Sequence, residues 1–206
     1  FTVVGADNWY DIENQTVNYF RQASIEDTIP VRNVRSVGNN YTVFATETFI
    51  DEVSQEIGVD PMAFRLNYLN GVGINAGSNT PASYGGGKRL ANVLKIASGL
   101  ANYGLENLGD YEGLGIAITG AENRWAPCFL ALVAKVKVDK NSAAIDVQKL
   151  ICVLDVGIAI NPDGIKAQVE GSLLWGLSNA LLEKMTLEDG MVSERNFDSY
   201  KWQNIT

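Results

Sequence analysis

Phe129-Leu130-Ala131-Leu132-Val133-Ala134-Lys135-Val136-Lys137-Val138 is an apolar run ending in apolar–basic alternation, and Asp139-Lys140-Asn141-Ser142 separates it from the strand-like stretch Ala144–Val153. Side chains alternate across a strand, so a period of two sends one set toward a core and the other toward solvent. Both runs are rich in β-branched residues, and the Asp-Lys-Asn-Ser break is turn chemistry. Together they predict an antiparallel hairpin or meander, with a further strand over the apolar run Gly113–Thr119.

Outward from these strands the pattern changes to helical. In Tyr41–Ile57, Val43, Phe44, Phe49, Ile50, Val53 and Ile57 recur at helical spacing around Glu47, Asp51, Glu52 and Glu56, and Gly58 closes the segment. Asp60-Pro61 is a cap followed by proline at the first helical position, which predicts a short helix over 61–69. The glycine-rich stretch 70–87 reads as a loop. A third helix is expected over 87–103, with Leu90, Val93, Leu94, Ile96, Ala97 and Leu100 on its apolar face. On the other side of the strands, Asn161-Pro162-Asp163-Gly164 reads as a turn leading into a helix over 165–183. Met185–Val192, centred on Asp189-Gly190, reads as a closing hairpin. Phe1–Arg35 reads as irregular strands turning at Ile29-Pro30-Val31. Regular helical crossovers are absent, so the expected class is α+β, a mainly antiparallel sheet with packed helices. The connector 104–113 divides a helical lobe, 1–110, from a lobe of sheet plus long helix, 111–206.

Composition excludes several functions. The 206 residues carry a formal charge of −8 and no dense basic run, which would repel nucleic acid. No apolar run approaches the roughly 18 residues that span a bilayer, so a soluble chain without a membrane span is expected. The first residue is Phe1 and no leader follows it, which predicts a processed or truncated N-terminus. There is no histidine, so Ser-His and Cys-His catalytic pairs and His-containing zinc sites are ruled out within this chain. Cys128 and Cys152 fall in the strand-like runs and are expected as buried thiols.

Two segments could carry chemistry. In Val34-Arg35-Ser36-Val37-Gly38-Asn39-Asn40 an arginine stands just before a helix, where a guanidinium beside backbone amides makes a corner for an anion or carbonyl. An ordinary loop arginine beside a helix cap accounts for the same residues. The second segment is Leu154-Asp155-Val156-Gly157 through Asn161-Pro162-Asp163 to Ala167-Gln168-Val169-Glu170-Gly171-Ser172. A buried glutamine amide can donate twice and accept twice, which suits a ligand with amide-like edges. Gly171, at helical spacing from Trp175, would let a backbone or cofactor come close. A capped amphipathic helix with a packing glycine is the plainer alternative.

The order of these motifs is similar to that of the large, molybdopterin-binding subunit of the molybdenum hydroxylases (the xanthine oxidase and aldehyde oxidase family). Arg35-Ser36-Val37-Gly38, Phe44, Glu47 to Glu52, Gly58-Val59-Asp60-Pro61 and Arg65 carry the first part of the resemblance. Asp155-Val156-Gly157, Asn161-Pro162-Asp163, Gln168-Val169-Glu170-Gly171, Gly176-Leu177-Ser178, Ala180-Leu181 and Asn196-Phe197-x-x-Tyr200 carry the second. The Arg-Ser-Val-Gly form, in place of Arg-Gly-Phe-Gly, resembles the isoquinoline 1-oxidoreductase (beta chain) and aldehyde dehydrogenase branch.

The resemblance implies a chain that helps bind molybdopterin, the molybdenum cofactor. It implies an intact protein that hydroxylates N-heterocycles or oxidises aldehydes with water as the oxygen source. Arg35 then matches the arginine facing the substrate beside the molybdenum, and Gln168 the glutamine that hydrogen-bonds the pterin. Gly171 lies against the cofactor, while Asp155, Asn161 and Glu170 serve mostly as scaffold. The implied partners are an iron–sulfur subunit and the rest of the large subunit. The family's catalytic glutamate follows the Gln-Val-Glu-Gly helix and its Gly-Gln-Gly loop approaches the metal; both are expected outside this chain, leaving an incomplete site. A non-catalytic structural or partner-binding lobe that kept the fold is the alternative.

Overall fold

The computed structural model describes residues 5–6, 8–20, 34–71, 85–105, 107–123 and 126–203. The expected turn at 29–31 and most of the glycine-rich stretch lie outside these residues. The order is α1 (Asn39–Glu56), α2 (Pro61–Asn67), α3 (Gly86–Leu100), β1 (Glu112–Asn123), β2 (Ala126–Val138), β3 (Ile145–Asp155), α4 (Pro162–Leu181), β4 (Leu187–Glu188) and β5 (Met191–Val192). Residues 8–20 form no strand. The strands β1-β2-β3 make one antiparallel sheet, as the alternation predicts, and β4-β5 make a small ribbon around Asp189-Gly190. The α+β class therefore holds. No helix among the described residues is long and apolar enough to cross a membrane.

The chain forms two compact units, 1–157 and 158–206. The division follows β3 rather than falling in the 104–113 connector, because α3 packs on the sheet. Phe129, Ala131 and Val133 alternate onto the buried face of β2, beside Ile116 and Ile118 of β1. Leu90, Val93, Leu94 and Ala97 of α3 complete that core, while Ile96 and Leu100 point outward. The β2–β3 register shifts at Lys135/Val136, close to the turn that joins the two strands. Cys128 and Cys152 are free thiols, partly rather than fully buried.

Local chemistry sets the helix ends. After α1, Gly58 takes φ +69°; its N–H donates to Gln55 O at 3.0 Å, and Val59 N–H reaches Ser54 O at 2.8 Å. This is a Schellman cap. Asp60 accepts from Ala63 N–H at 2.9 Å ahead of Pro61, and Asn161 accepts from Gly164 N–H at 2.9 Å ahead of Pro162. Asn-Pro-Asp-Gly is thus the first turn of α4, not a turn preceding it.

Residues 8–12 are held by side chains. Trp9 donates from Nε1 to Gly120 O at 3.0 Å and meets Phe129 edge-on at 5.1 Å. A Cβ on Gly120 would lie 2.5 Å from Trp9 Nε1 and 2.9 Å from Phe129 Cδ1. Gly120→Ala should therefore displace the indole and cost about 1–3 kcal/mol of stability, as overpacking does. Urea unfolding measures this; a loss below about 0.5 kcal/mol would mean that the indole shifts without strain.

Candidate functional site

The first unit places Arg35 on an exposed turn at the mouth of α1. The two residues after it have left-handed backbone, Ser36 at φ 74° and Val37 at φ 49°. Val37 N–H donates to Val34 O at 3.0 Å, and Asn39 N–H to Ser36 O at 2.9 Å. Thr42 grips the turn from inside the helix, its N–H and Oγ1 both donating to Gly38 O, at 3.1 and 2.8 Å.

Helix α1 is in turn clamped by polar groups inside the core. Its buried stripe is Glu47, Ile50 and Ser54; Phe44 and Phe49 lie off that stripe and face outward. The Glu47 carboxylate accepts from Tyr10 Oη at 2.8 Å, Arg65 Nε at 3.0 Å and the Ile118 amide at 2.9 Å. Arg65 is fully buried; its Nη1 also donates to Asp51 Oδ1 at 2.6 Å and Pro61 O at 3.2 Å, and its Nη2 to Glu47 O at 3.2 Å. The network joins residues 8–12, α1, α2 and β1. Burial pushes the Glu47 carboxyl upward, against the pull of Arg65, the Ile118 amide and Tyr10. Burial and the Glu47 charge push the Tyr10 phenol far above its ordinary range. Three donors face Glu47, an arrangement that suits the carboxylate.

A second ion pair closes the sheet's end. Arg89 of α3 holds Asp155 at the end of β3 through two parallel bonds, Nε to Oδ2 at 2.7 Å and Nη2 to Oδ1 at 2.6 Å. Its guanidinium lies 4.6 Å from the Phe129 ring centroid, and Asp155 Oδ1 also accepts the Gly157 N–H at 2.9 Å. The hydrogen bonds from Arg89 hold the Asp155 carboxyl below its ordinary value. A lowered folded-state value means the pair contributes stability above about pH 4, the unfolded value, and loses it as pH falls through the lowered one.

The second unit presents α4. Gln168, Gly171, Ser172 and Trp175 stand at helical spacing, and all are exposed. Ser172 Oγ donates to the Gln168 main-chain O at 2.7 Å. A Cβ on Gly171 would meet nothing within 4 Å, nor would one on Gly176. Among the described residues of its own unit, Gly171 is therefore not required by packing, contrary to the packing-glycine alternative. Leu173 and Leu177 are half-buried and Leu174 is exposed, so the helix buries less than its apolar content suggests; Ser178 is its buried residue. Arg35 and Gln168 belong to different units, and each is placed only within its own.

Among the described residues no group of Cys, Asp and Glu could hold a metal ion. The open face of α4 offers an amide, a hydroxyl, an indole and bare backbone, a donor set that suits a polar planar organic group more than a bare cation. Sequence reading did not find Arg89, and met Glu47 and Arg65 only as members of motifs. The available signal was Glu47 standing in the same helical stripe as Val43 and Ile50.

Comparison with known proteins identifies the family. Residues 75–206 match the family model of the molybdopterin cofactor-binding domain. The chain is 36% identical over 200 residues to the membrane-bound aldehyde dehydrogenase [pyrroloquinoline-quinone] of Gluconacetobacter polyoxogenes, covering 97% of this chain and 26% of that protein. It is 28% identical over 173 residues to the beta subunit of isoquinoline 1-oxidoreductase of Brevundimonas diminuta, covering 84% of this chain and 20% of the relative. It is 26% identical over 196 residues to a nicotinate dehydrogenase subunit of Pseudomonas putida, covering 93% and 16%. The chain thus spans about a quarter or less of each relative's length.

Proposed function

The chain belongs to the molybdopterin cofactor-binding domain family, and from that membership we propose that it is part of the large subunit of a molybdenum-dependent oxidoreductase that hydroxylates N-heterocycles or oxidises aldehydes. What carries the reading is the exposed Gln168–Gly171–Ser172–Trp175 face of α4, which lies inside the matched span. When bound, the cofactor supplies the two-electron oxidation and the transfer of a water-derived oxygen to carbon.

Residues of this chain would supply part of the site. The Gln168 amide donates to and accepts from the pterin's amide edge, and Gly171 leaves room for the ring system to approach the helix backbone. Arg35 orients the substrate carbonyl or ring nitrogen and stabilises the negative charge that grows there. The clamp of Glu47 on β1 fixes the helix that follows Arg35. An iron–sulfur subunit takes up the electrons, and the rest of the large subunit completes the site; the relatives above are themselves named as subunits in two cases.

Gln168→Leu in the full-length protein tests the cofactor assignment. The substitution keeps volume and helix propensity but removes the amide's donors and acceptor. Gln168 is exposed in this chain, so unfolding should change little. Unpaired pterin groups would cost about 1–3 kcal/mol, roughly five- to 150-fold in affinity, and molybdenum and pterin content should fall together. Full occupancy in the variant would remove the assignment. The same preparation is assayed for pyrroloquinoline quinone, the cofactor in the name of the 36%-identical relative; finding it in place of pterin would overturn the molybdopterin reading for this protein.

A further inference from the structure

We propose that the paired left-handed residues Ser36 and Val37 are positioning residues, holding Arg35 in one orientation by a conformationally restricted turn; this rests on the reading of Arg35 given above. Six non-glycine residues among those described have positive φ: Ser36, Val37, Asn102, Tyr111, Ala143 and Asp189. Four of them stand singly at helix ends and strand turns. Ser36 and Val37 are consecutive, and Val37 is the one β-branched member of the set. Left-handed backbone is unfavourable for L residues and most of all for β-branched ones; Asn or Gly is usual where two such residues follow each other.

The surrounding bonds over-determine the turn. Val37 N–H is tied back to Val34 O and Asn39 N–H to Ser36 O, so both sides of the left-handed pair are fastened. Gly38 is buried, and its carbonyl accepts twice from Thr42. Helix α1 beyond it is anchored on β1 and α2 through Glu47. The side chains of Ser36 and Val37 are themselves exposed, so packing does not account for the choice of these residues. Strain of this kind persists where a rigid framework holds it, and its effect here is to restrict the backbone directly after Arg35. Glycines in the same places would reach the same φ with freedom to leave it.

The test uses the full-length enzyme with its partner subunit, assayed with isoquinoline and acetaldehyde and an artificial dye as electron acceptor. Val37→Gly and Ser36→Gly should each lower kcat on the order of tenfold, since small misplacements of a substrate-orienting group are costly. KM should move less, molybdenum content should stay at the parental level, and the unfolding midpoint should stay level or rise. Val37→Asn, which tolerates left-handed backbone without glycine's freedom, should recover most of the lost turnover. In an Arg35→Met background, Val37→Gly should add no further loss, because both changes act through one side chain. Parental kcat in the glycine variants alongside a large loss in Arg35→Met would overturn the positioning role and leave the role of Arg35 intact. A loss in Val37→Asn equal to that in Val37→Gly, or a lowered midpoint in Val37→Gly, would assign the effect to the valine side chain and overturn the proposal. Full turnover in Arg35→Met, or no turnover of either probe by fully loaded parent enzyme, would sink the underlying reading and this one with it.

Discussion

Arg65→Met is expected to lower the unfolding free energy by about 3–5 kcal/mol, the cost of breaking a buried ion pair from one side. Arg65 is fully buried and spends its donors on Glu47, Asp51, the Pro61 carbonyl and the Glu47 carbonyl. Methionine fills much of the same volume, so cavity formation is a small part of the loss. The main part comes from Glu47, which keeps Tyr10 and the Ile118 amide but loses its counter-charge inside the core. Asp51, whose side chain is 34% exposed, can turn to water and should add little. Neutralising the stranded acid as well, in Glu47→Gln/Arg65→Met, should recover a substantial share of the loss. Urea unfolding of the two variants gives both numbers. A loss under about 1 kcal/mol in the single variant, or no recovery in the double, would mean that water reaches Glu47 and that the network does not clamp α1.

That network also marks the limit of what the residues reveal in order. The sheet was legible because Lys135-Val136-Lys137-Val138 alternates with a period of two, and strand registry follows from a short turn between neighbouring runs. The cap at Asp60-Pro61 and the glycine after α1 were legible because each acts within five residues. Asn161-Pro162-Asp163-Gly164 was harder, since Asn and Pro serve a turn and an N-cap equally well; only the length of the helix that follows decides between them. The buried face of α1 was misplaced for a different reason. Apolar content points to Phe44 and Phe49, yet the core receives Glu47, whose partners Arg65, Ile118 and Tyr10 lie 18, 71 and 37 residues away. Arg89 and Asp155, 66 residues apart, were invisible as a pair on the same ground. Charge complementarity across the fold has no local period to read.

The site itself divides in the same way. Gln168 and Gly171 were singled out on amide chemistry and glycine spacing; the glutamine was expected to be buried, and within this chain it stands exposed on α4, because little of that helix is covered by its own unit. Ser36 and Val37 carry no sequence mark of a left-handed turn, because the residues that normally announce one, Asn and Gly, are not there. Only the backbone angles disclose it.

Arg35→Met should lower turnover of the full-length enzyme by roughly 10²-fold or more, with cofactor content unchanged. The guanidinium stands on an exposed turn of this chain, so its removal should leave the unfolding transition near the parental value. A group that binds substrate and transition state equally would raise KM and leave kcat alone. One that meets charge only as it develops lowers kcat and kcat/KM together, and the second pattern is expected for an arginine aimed at a carbonyl oxygen or ring nitrogen. Arg35→Lys separates charge from shape: a lysine restores the positive charge but not the planar fork, so it should recover part of the rate and not all of it. Full recovery by lysine would assign the effect to charge alone. If turnover in Arg35→Met stays within a factor of about three of the parent, smaller than the loss of a single oxyanion donor, Arg35 is a loop residue and the substrate is oriented from another part of the protein.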